Sequence, residues 1–260
     1  SVLGKKCTGR YGEKGFSMGR KKNQISSFDF QAGKILLNKY KVIQKIGSGW
    51  EGEVYIVEEI LTGIERAAKF FFPQRNQNNK ALIFYAKKLH KLRHCNILIQ
   101  YITQEFFVYE GQKVSFLISD FVEGEPLDTF LKRQRRGKLS PFQALHLLHA
   151  LASGLEDIHV MKEYHGDLHT ENIIVQRYGL GFDLKLIDMF QWGAARPLNI
   201  REDVTDVVRV FYDSLGGKKY YSNQPQVIKD ICCGLKKSLI LQKFKTAGQL
   251  KTYIENLSWE

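Results

Sequence analysis

Alternating apolar and polar positions mark the first half of the chain as strand-rich. Residues 41–46 and 53–57 read as a strand and its return, Thr62-Gly63 marks the next turn, and residues 66–71 read as a third strand. The three together predict an antiparallel meander. The period then changes: Leu82, Tyr85, Ala86 and Leu89 fall at i, i+3, i+4 and i+7, which predicts a helix over 78–92 with one buried face. Two more strands are expected near 99–107 and 114–119. A boundary follows at 120–125, where Gly124 and Pro126 end the alternation. Helical periodicity dominates beyond it. Ser140-Pro141-Phe142-Gln143 combines a capping hydroxyl, a proline in the first turn and a glutamine three residues after the serine, and Leu148, Leu151, Leu155 and Ile158 then line one face. Short strands are expected near 173–175 and 184–187, and helices at 203–215 and over most of 226–257. The pattern is α+β: a small antiparallel β-sheet lobe with one helix over 28–122, and a larger, mainly helical lobe over 123–260.

Composition changes this picture mainly at the N-terminus. The chain of 260 residues has a formal net charge of +12. Residues 1–24 carry Lys5, Lys6, Arg10, Lys14, Arg20, Lys21 and Lys22 against Glu13 alone, a net of +6, together with five glycines and little apolar periodicity. Residues 1–27 therefore read as a basic, poorly ordered arm. A solvated terminus is the simpler reading, and a weak anionic partner, nucleic acid or membrane surface, is the other. A second basic run, from Lys132 to Lys138, is expected to close a helix, since cations are favourable at a helix C-terminus. Hydrophobic content of 43% with 12% aromatics predicts a packed core and argues against a disordered chain. Cys7, Cys95, Cys232 and Cys233 form no C-x-x-C pair, which argues against a disulfide framework or a zinc site and fits a reducing cytoplasmic setting. No run of 18 apolar residues predicts a membrane-spanning helix, and no apolar stretch at the N-terminus predicts a signal peptide.

Three groups of residues carry chemistry. Gly47-Ser48-Gly49-Trp50-Glu51-Gly52-Glu53-Val54 is a G-x-G-x-x-G-x-V between two predicted strands. Glycines let a backbone approach phosphate oxygens with its N–H groups. A dinucleotide-binding turn would lead into a helix, whereas here a strand follows. Ala67-Ala68-Lys69 then places a lysine in an apolar strand, where it needs an anionic partner such as a phosphate; taken alone, a lysine at a strand edge is the more ordinary reading. The most specific group is His165-Gly166-Asp167-Leu168-His169-Thr170-Glu171-Asn172, with Asp188 at the end of the next strand. Asp167 is placed to accept or orient a hydroxyl proton. Asn172 and Asp188 supply hard oxygen donors of the kind Mg2+ uses beside phosphates.

Together these residues resemble the protein kinase family, from about Leu37 to about Leu257. The resemblance implies a bilobal protein-kinase-like fold that binds ATP and Mg2+. It implies that Gly47, Ser48, Gly49, Gly52 and Val54 form the glycine-rich loop, and that Lys69 pairs with the α- and β-phosphates beside Ala67. Asp167 would be the catalytic base, with Asn172 and Asp188 as metal ligands. The backbone of Asp120 and Val122, in Leu117–Gly124, would hold adenine, with Ser119 as gatekeeper, and Asp203 would brace the catalytic loop.

The departures bear on function. No acid lies between Phe70 and Gln104, so the family's helical glutamate is missing and Tyr85 stands in its place; Asp188 is the expected partner of Lys69. Gly166 replaces the arginine of H-R-D, Asp188-Met189-Phe190 replaces D-F-G, and no A-P-E segment fits between Asp188 and Asp203. Trp192 is expected to pack near the cleft. The leading expectation is an ATP-dependent kinase acting on Ser or Thr of a protein. The alternatives are a small-molecule or sugar kinase, whose loops His165–His169 also resembles, and a pseudokinase scaffold.

Overall fold

The computed structural model describes residues 24–179, 181–189 and 195–258. Its first half is an antiparallel sheet of β1 (Ile35–Leu36), β2 (Tyr40–Ser48), β3 (Gly52–Glu59), β4 (Glu65–Phe71), β5 (Tyr101–Tyr109) and β6 (Gln112–Asp120). The order across the sheet is β1-β2-β3-β4-β6-β5. The helix α1 (Lys80–Lys91) connects β4 to β5 and buries Leu82, Tyr85, Ala86 and Leu89, the face its periodicity predicts. The short β1, which pairs with β2, has too few residues to show alternation and was not expected.

The two faces of the sheet have different tasks. Ala68, Phe70 and Phe72 point into an aromatic core with Tyr55 and Phe116, where the rings of Phe70 and Phe116 stack 4.5 Å apart. Phe71 packs on the other face against Leu82, Tyr85 and Ala86 of α1. Strand alternation places Lys69, two residues earlier, on that same face, toward the cleft.

Ile25, Phe28 and Phe30 cover the aromatic core. Their segment is fastened by Glu53, which accepts from Ser27 Oγ at 2.9 Å, from the Phe28 N–H at 3.2 Å and from Tyr55 OH at 2.5 Å, and pairs with Lys45 at 2.6 Å. Burial works against the charge on Glu53, but these donors hold its carboxyl below the usual range. Among the described residues, packing thus includes Ile25, inside the stretch whose composition reads as an arm. The basic residues from Lys5 to Lys22 lie outside the described residues.

The second half contains a small sheet of β7 (Glu125–Pro126), β8 (Ile173–Tyr178) and β9 (Phe182–Leu186), with helices α2 (Leu127–Arg133), α3 (Pro141–Val160), α4 (Pro197–Ser214), α5 (Lys218–Tyr221), α6 (Gln226–Cys232), α7 (Lys237–Lys243) and α8 (Ala247–Glu255). Ser140 caps α3 in a reciprocal box with Gln143. Leu148, Leu151, Leu155 and Ile158 are fully buried along that helix, in a core shared with α4 and α8. Lys132 and Arg133 fall in the last turn of α2, as the basic run implies. Helix α4 begins at Pro197 rather than Asp203, because proline is well placed in a first turn. The helical stretch after 226 breaks where Cys233 and Gly234 adopt φ of 48° and 60°.

Among the described residues the halves are joined at several points, including the Lys88 ammonium, which donates to Tyr164 O at 2.8 Å. The Leu186 N–H donates to Ile97 O at 2.7 Å. At the predicted boundary, Gly124 has φ +140° and a Cβ there would lie 2.4 Å from Val175 O, so only glycine fits. Among the described residues, Cys95, Cys232 and Cys233 are free, and no helix is long and apolar enough to cross a membrane.

Candidate active site

The turn between β2 and β3 closes with the Gly49 N–H on Gly52 O at 2.9 Å, and the Phe72 N–H holds Glu51 O at 2.8 Å. Its glycines are not equivalent. A Cβ on Gly49 would meet nothing within 4 Å, whereas one on Gly52 would lie 1.8 Å from Phe70 O. Gly52 is therefore required by the approach of β3 to β4, a packing role added to the phosphate-facing one expected from sequence. Gly52→Ala is expected to cost about 2 kcal/mol through overpacking. Gly49→Ala should leave the thermal unfolding midpoint nearly unchanged. Equal midpoints for the two variants would show that the strand contact is misread.

Behind this turn lies an apolar slot. Ile46, Val54 and Ala67 line its upper side, and Ile174 and Leu186 its lower side. β6 ends at Asp120, whose N–H is already held by Gln100 O at 3.0 Å, so the Asp120 backbone can offer a ligand its carbonyl but not its N–H. Val122 lies beyond the strand, outside its ladder, and also lines the slot. Ser119, buried beside Ala67 in the β4–β6 register, stands where the slot continues inward to Leu89 and Leu117. Its small side chain leaves that inner space open. Ser119→Phe is expected to weaken a bulky adenine-site inhibitor by about tenfold or more, as for a core overpacked by 1–3 kcal/mol, and ATP far less. Equal loss of both in a binding titration would mean the slot has been assigned to the wrong ligand.

The segment from His165 is held by Asp203. Its fully buried carboxylate accepts the His165 and Gly166 N–H groups at 2.8 Å each and meets His159 Nε2 at 2.9 Å. His159 belongs to this brace. His165 is also fully buried: Nε2 donates to Ile187 O at 3.0 Å and Nδ1 accepts the Asp167 N–H at 3.3 Å, which fixes its tautomer. Burial keeps its pKa below the ordinary value despite the nearby Asp203. Gly166, where the family pattern has arginine, sits at φ +84°, a conformation that glycine adopts without the penalty of a side chain.

Asn172 is tied to the same loop. Its Nδ2 donates to Asp167 O at 2.9 Å, and the Ile187 N–H donates back to Asn172 O at 3.0 Å. The Ile187–Asn172 bond is the last rung of the β8–β9 register; the Asn172 N–H turns to His169 O at 3.0 Å and does not return it, so the strand ends at Leu186 and the chain delivers Asp188 to the cleft. Asp188 has φ +55°, an uncommon conformation for a residue with a side chain and one that functional sites tend to hold. The Asp167 carboxylate is 53% exposed and so accessible to an acceptor. His169, within the 165–172 motif but given no role by the sequence reading, lies 3.7 Å from Asp167 Oδ2 and 2.9 Å from Asn172 Nδ2.

Lys69 is where geometry adds most to sequence. Its ammonium lies 3.2 Å from Asp188 Oδ1, as expected, and donates to Tyr85 OH at 3.2 Å. It also lies 3.3 Å from Glu51 Oε2, a partner the sequence reading missed. Burial opposes the charge on Lys69, but Asp188, Tyr85 and Glu51 together raise its pKa above the ordinary lysine value. Burial likewise raises the Tyr85 phenol, which stays neutral.

The donor set suits magnesium with phosphates. With Nδ2 of Asn172 bonded to Asp167, its Oδ1 remains as the acceptor, and Asp188 supplies a carboxylate. No cluster of three or more His, Cys, Asp or Glu among the described residues could hold a metal without such help. Phe190 and Trp192 lie outside the described residues.

A model of the protein kinase domain matches residues 40–230. The chain belongs to the protein kinase family. It is similar to the serine/threonine-protein kinase pkn2 of Myxococcus xanthus, 28% identical over 195 residues that make up 74% of this chain and 22% of that protein. It is also similar to the probable serine/threonine-protein kinase YbdM of Bacillus subtilis, 27% identical over 55% of each chain. The family member thus spans between about a fifth and about half of the length of these relatives. The solved kinase domain of PF14_0431 superposes with a TM-score of 0.55 at 19% identity, covering 70% of this chain and 62% of that one, a likeness of fold. The two-lobed α+β architecture is therefore the kinase fold.

Proposed function

We propose that this family member is an ATP-dependent phosphotransferase that moves the γ-phosphoryl group to a hydroxyl, with Ser or Thr of a protein as acceptor. The observation that carries the reading is the loop braced by Asp203, which presents a half-exposed Asp167 beside Asn172, together with the Lys69–Asp188 pair in the same cleft. A structural loop would have no need of an exposed carboxylate held in that setting. The relatives' names support the choice of acceptor.

In this reading adenine lies in the apolar slot against the backbone of Asp120 and Val122. The turn from Gly47 through Ser48 and Gly49 to Gly52 covers the phosphates, and Lys69 holds the α- and β-phosphates. Asn172 and Asp188 would hold magnesium, which supplies charge neutralisation on the phosphate oxygens when bound. Asp167 orients the acceptor hydroxyl and takes its proton as the oxygen attacks the γ-phosphorus, while the bond to the β,γ-bridging oxygen breaks and ADP leaves. Little covalent work is asked of the protein: positioning and electrostatics supply most of the acceleration.

The test separates acceptor classes. A cell lysate is divided by size into a protein fraction and a small-molecule fraction, and each is incubated with the chain, magnesium and γ-labelled ATP. Label on Ser or Thr of the protein fraction is expected. Label confined to the small-molecule fraction would replace the protein acceptor with a metabolite.

A further inference from the structure

Lys69 lies in an apolar cleft and needs a carboxylate to orient its ammonium. Its two carboxylate partners differ in kind. Asp188 is 42% exposed at the cleft mouth, and in the reading above it turns to a metal and phosphates when a nucleotide enters. Glu51 is 3% exposed, and its Oε2 is buried without a hydrogen bond, with the Lys69 ammonium at 3.3 Å as its described ion-pair partner. Helix α1 offers no acid at all between Lys80 and Lys91.

The backbone around Glu51 is fixed. Phe72 N–H holds its carbonyl, Gly52 beside it is pressed against Phe70 O, and the neighbouring Trp50 lies on the outer side under the Arg75 guanidinium, 4.1 Å from its ring. With Trp50 63% exposed, the two adjacent side chains point opposite ways, one to solvent and one into the cleft. An acid aimed inward from a loop that is to cover phosphates would repel them unless a cation stood between. Lys69 stands there.

We propose that Glu51, carried by the glycine-rich loop, is the positioning carboxylate for Lys69, so that placing the loop over a nucleotide and aligning the lysine are a single event. The inference rests on the phosphotransferase reading, and it makes the loop rather than α1 the element through which the lysine is controlled. A carboxylate returned to α1 opposite Lys69, at Tyr85, should substitute for it.

The experiment compares wild type, Glu51→Gln and the double variant Glu51→Gln with Tyr85→Glu in the full chain. Glu51→Gln removes a charged partner at nearly constant shape, and kcat/KM for ATP is expected to fall roughly 10- to 100-fold, as when a buried charge loses one of its partners. The double variant should regain most of that loss. A merely structural role for Glu51 would not predict rescue from another element.

A second readout needs no turnover. Acylation of Lys69 by acetic anhydride without nucleotide, followed by mass spectrometry, should be several-fold faster in Glu51→Gln near neutral pH and slow again in the double variant. A chain unable to transfer phosphate would fail the first readout and pass the second, which would retire the phosphotransferase reading and keep the pairing. Unchanged Lys69 reactivity in folded Glu51→Gln, or a rise in kcat/KM on removing the carboxylate, would overturn the proposal.

Discussion

Asp167→Asn is expected to reduce phosphoryl transfer by about 10²–10⁴-fold, the usual contribution of a positioned acid or base. ATP affinity should stay within about twofold by calorimetric titration, a separation of effects expected when a group acts only in the transition state. The variant keeps shape and hydrogen-bonding capacity but cannot take a proton. The loop should survive the change, because it hangs on Asp203 through the His165 and Gly166 N–H groups and not on the Asp167 side chain. Turnover above about a tenth of wild type would remove Asp167 from the proton-handling role and leave it at most an electrostatic one.

Lys69→Ala is expected to lower kcat by about 10²–10³-fold, the scale on which a single preorganised donor facing developing charge acts. Tyr85→Phe should lower it by less than about tenfold, since it removes a neutral acceptor from an ammonium that keeps its described carboxylate partners, Glu51 and Asp188. The contrast is informative because both side chains belong to one contact. If the phenol matters as much as the ammonium, Tyr85 is more than a stand-in for an absent acid. If Lys69→Ala retains activity, the phosphates are held elsewhere and a nucleotide-binding scaffold becomes the better description.

The fold was legible wherever side-chain period and turn chemistry agreed. The alternation around Lys69 assigns Phe70 and Phe71 to opposite faces, and the Ser140–Gln143 box starts α3 where it was expected. Short elements such as β1 and β7 escaped because two residues cannot show a period, and Pro126 obscured the junction of β7 and α2. Boundaries moved where a hydrogen bond outside the ladder decided them, as when the Asn172 N–H turns to His169 O and β9 stops at Leu186. Candidate chemistry was legible where it is contiguous, from His165 to Asn172. The Lys69–Glu51 contact was not, because strand register rather than sequence spacing brings the two together. One clue was available: an acid within a turn expected to meet phosphates needs a cation nearby.

The central claim is that this cleft moves a phosphoryl group and does not only hold a nucleotide. The most direct test follows ADP formation and label on a protein acceptor in one reaction with γ-labelled ATP and magnesium, beside the Asp167→Asn variant. The account predicts that ADP and labelled protein rise together in wild type and that both fall to background in the variant. ATP bound in the cleft, with neither product rising above the variant's level, would contradict it.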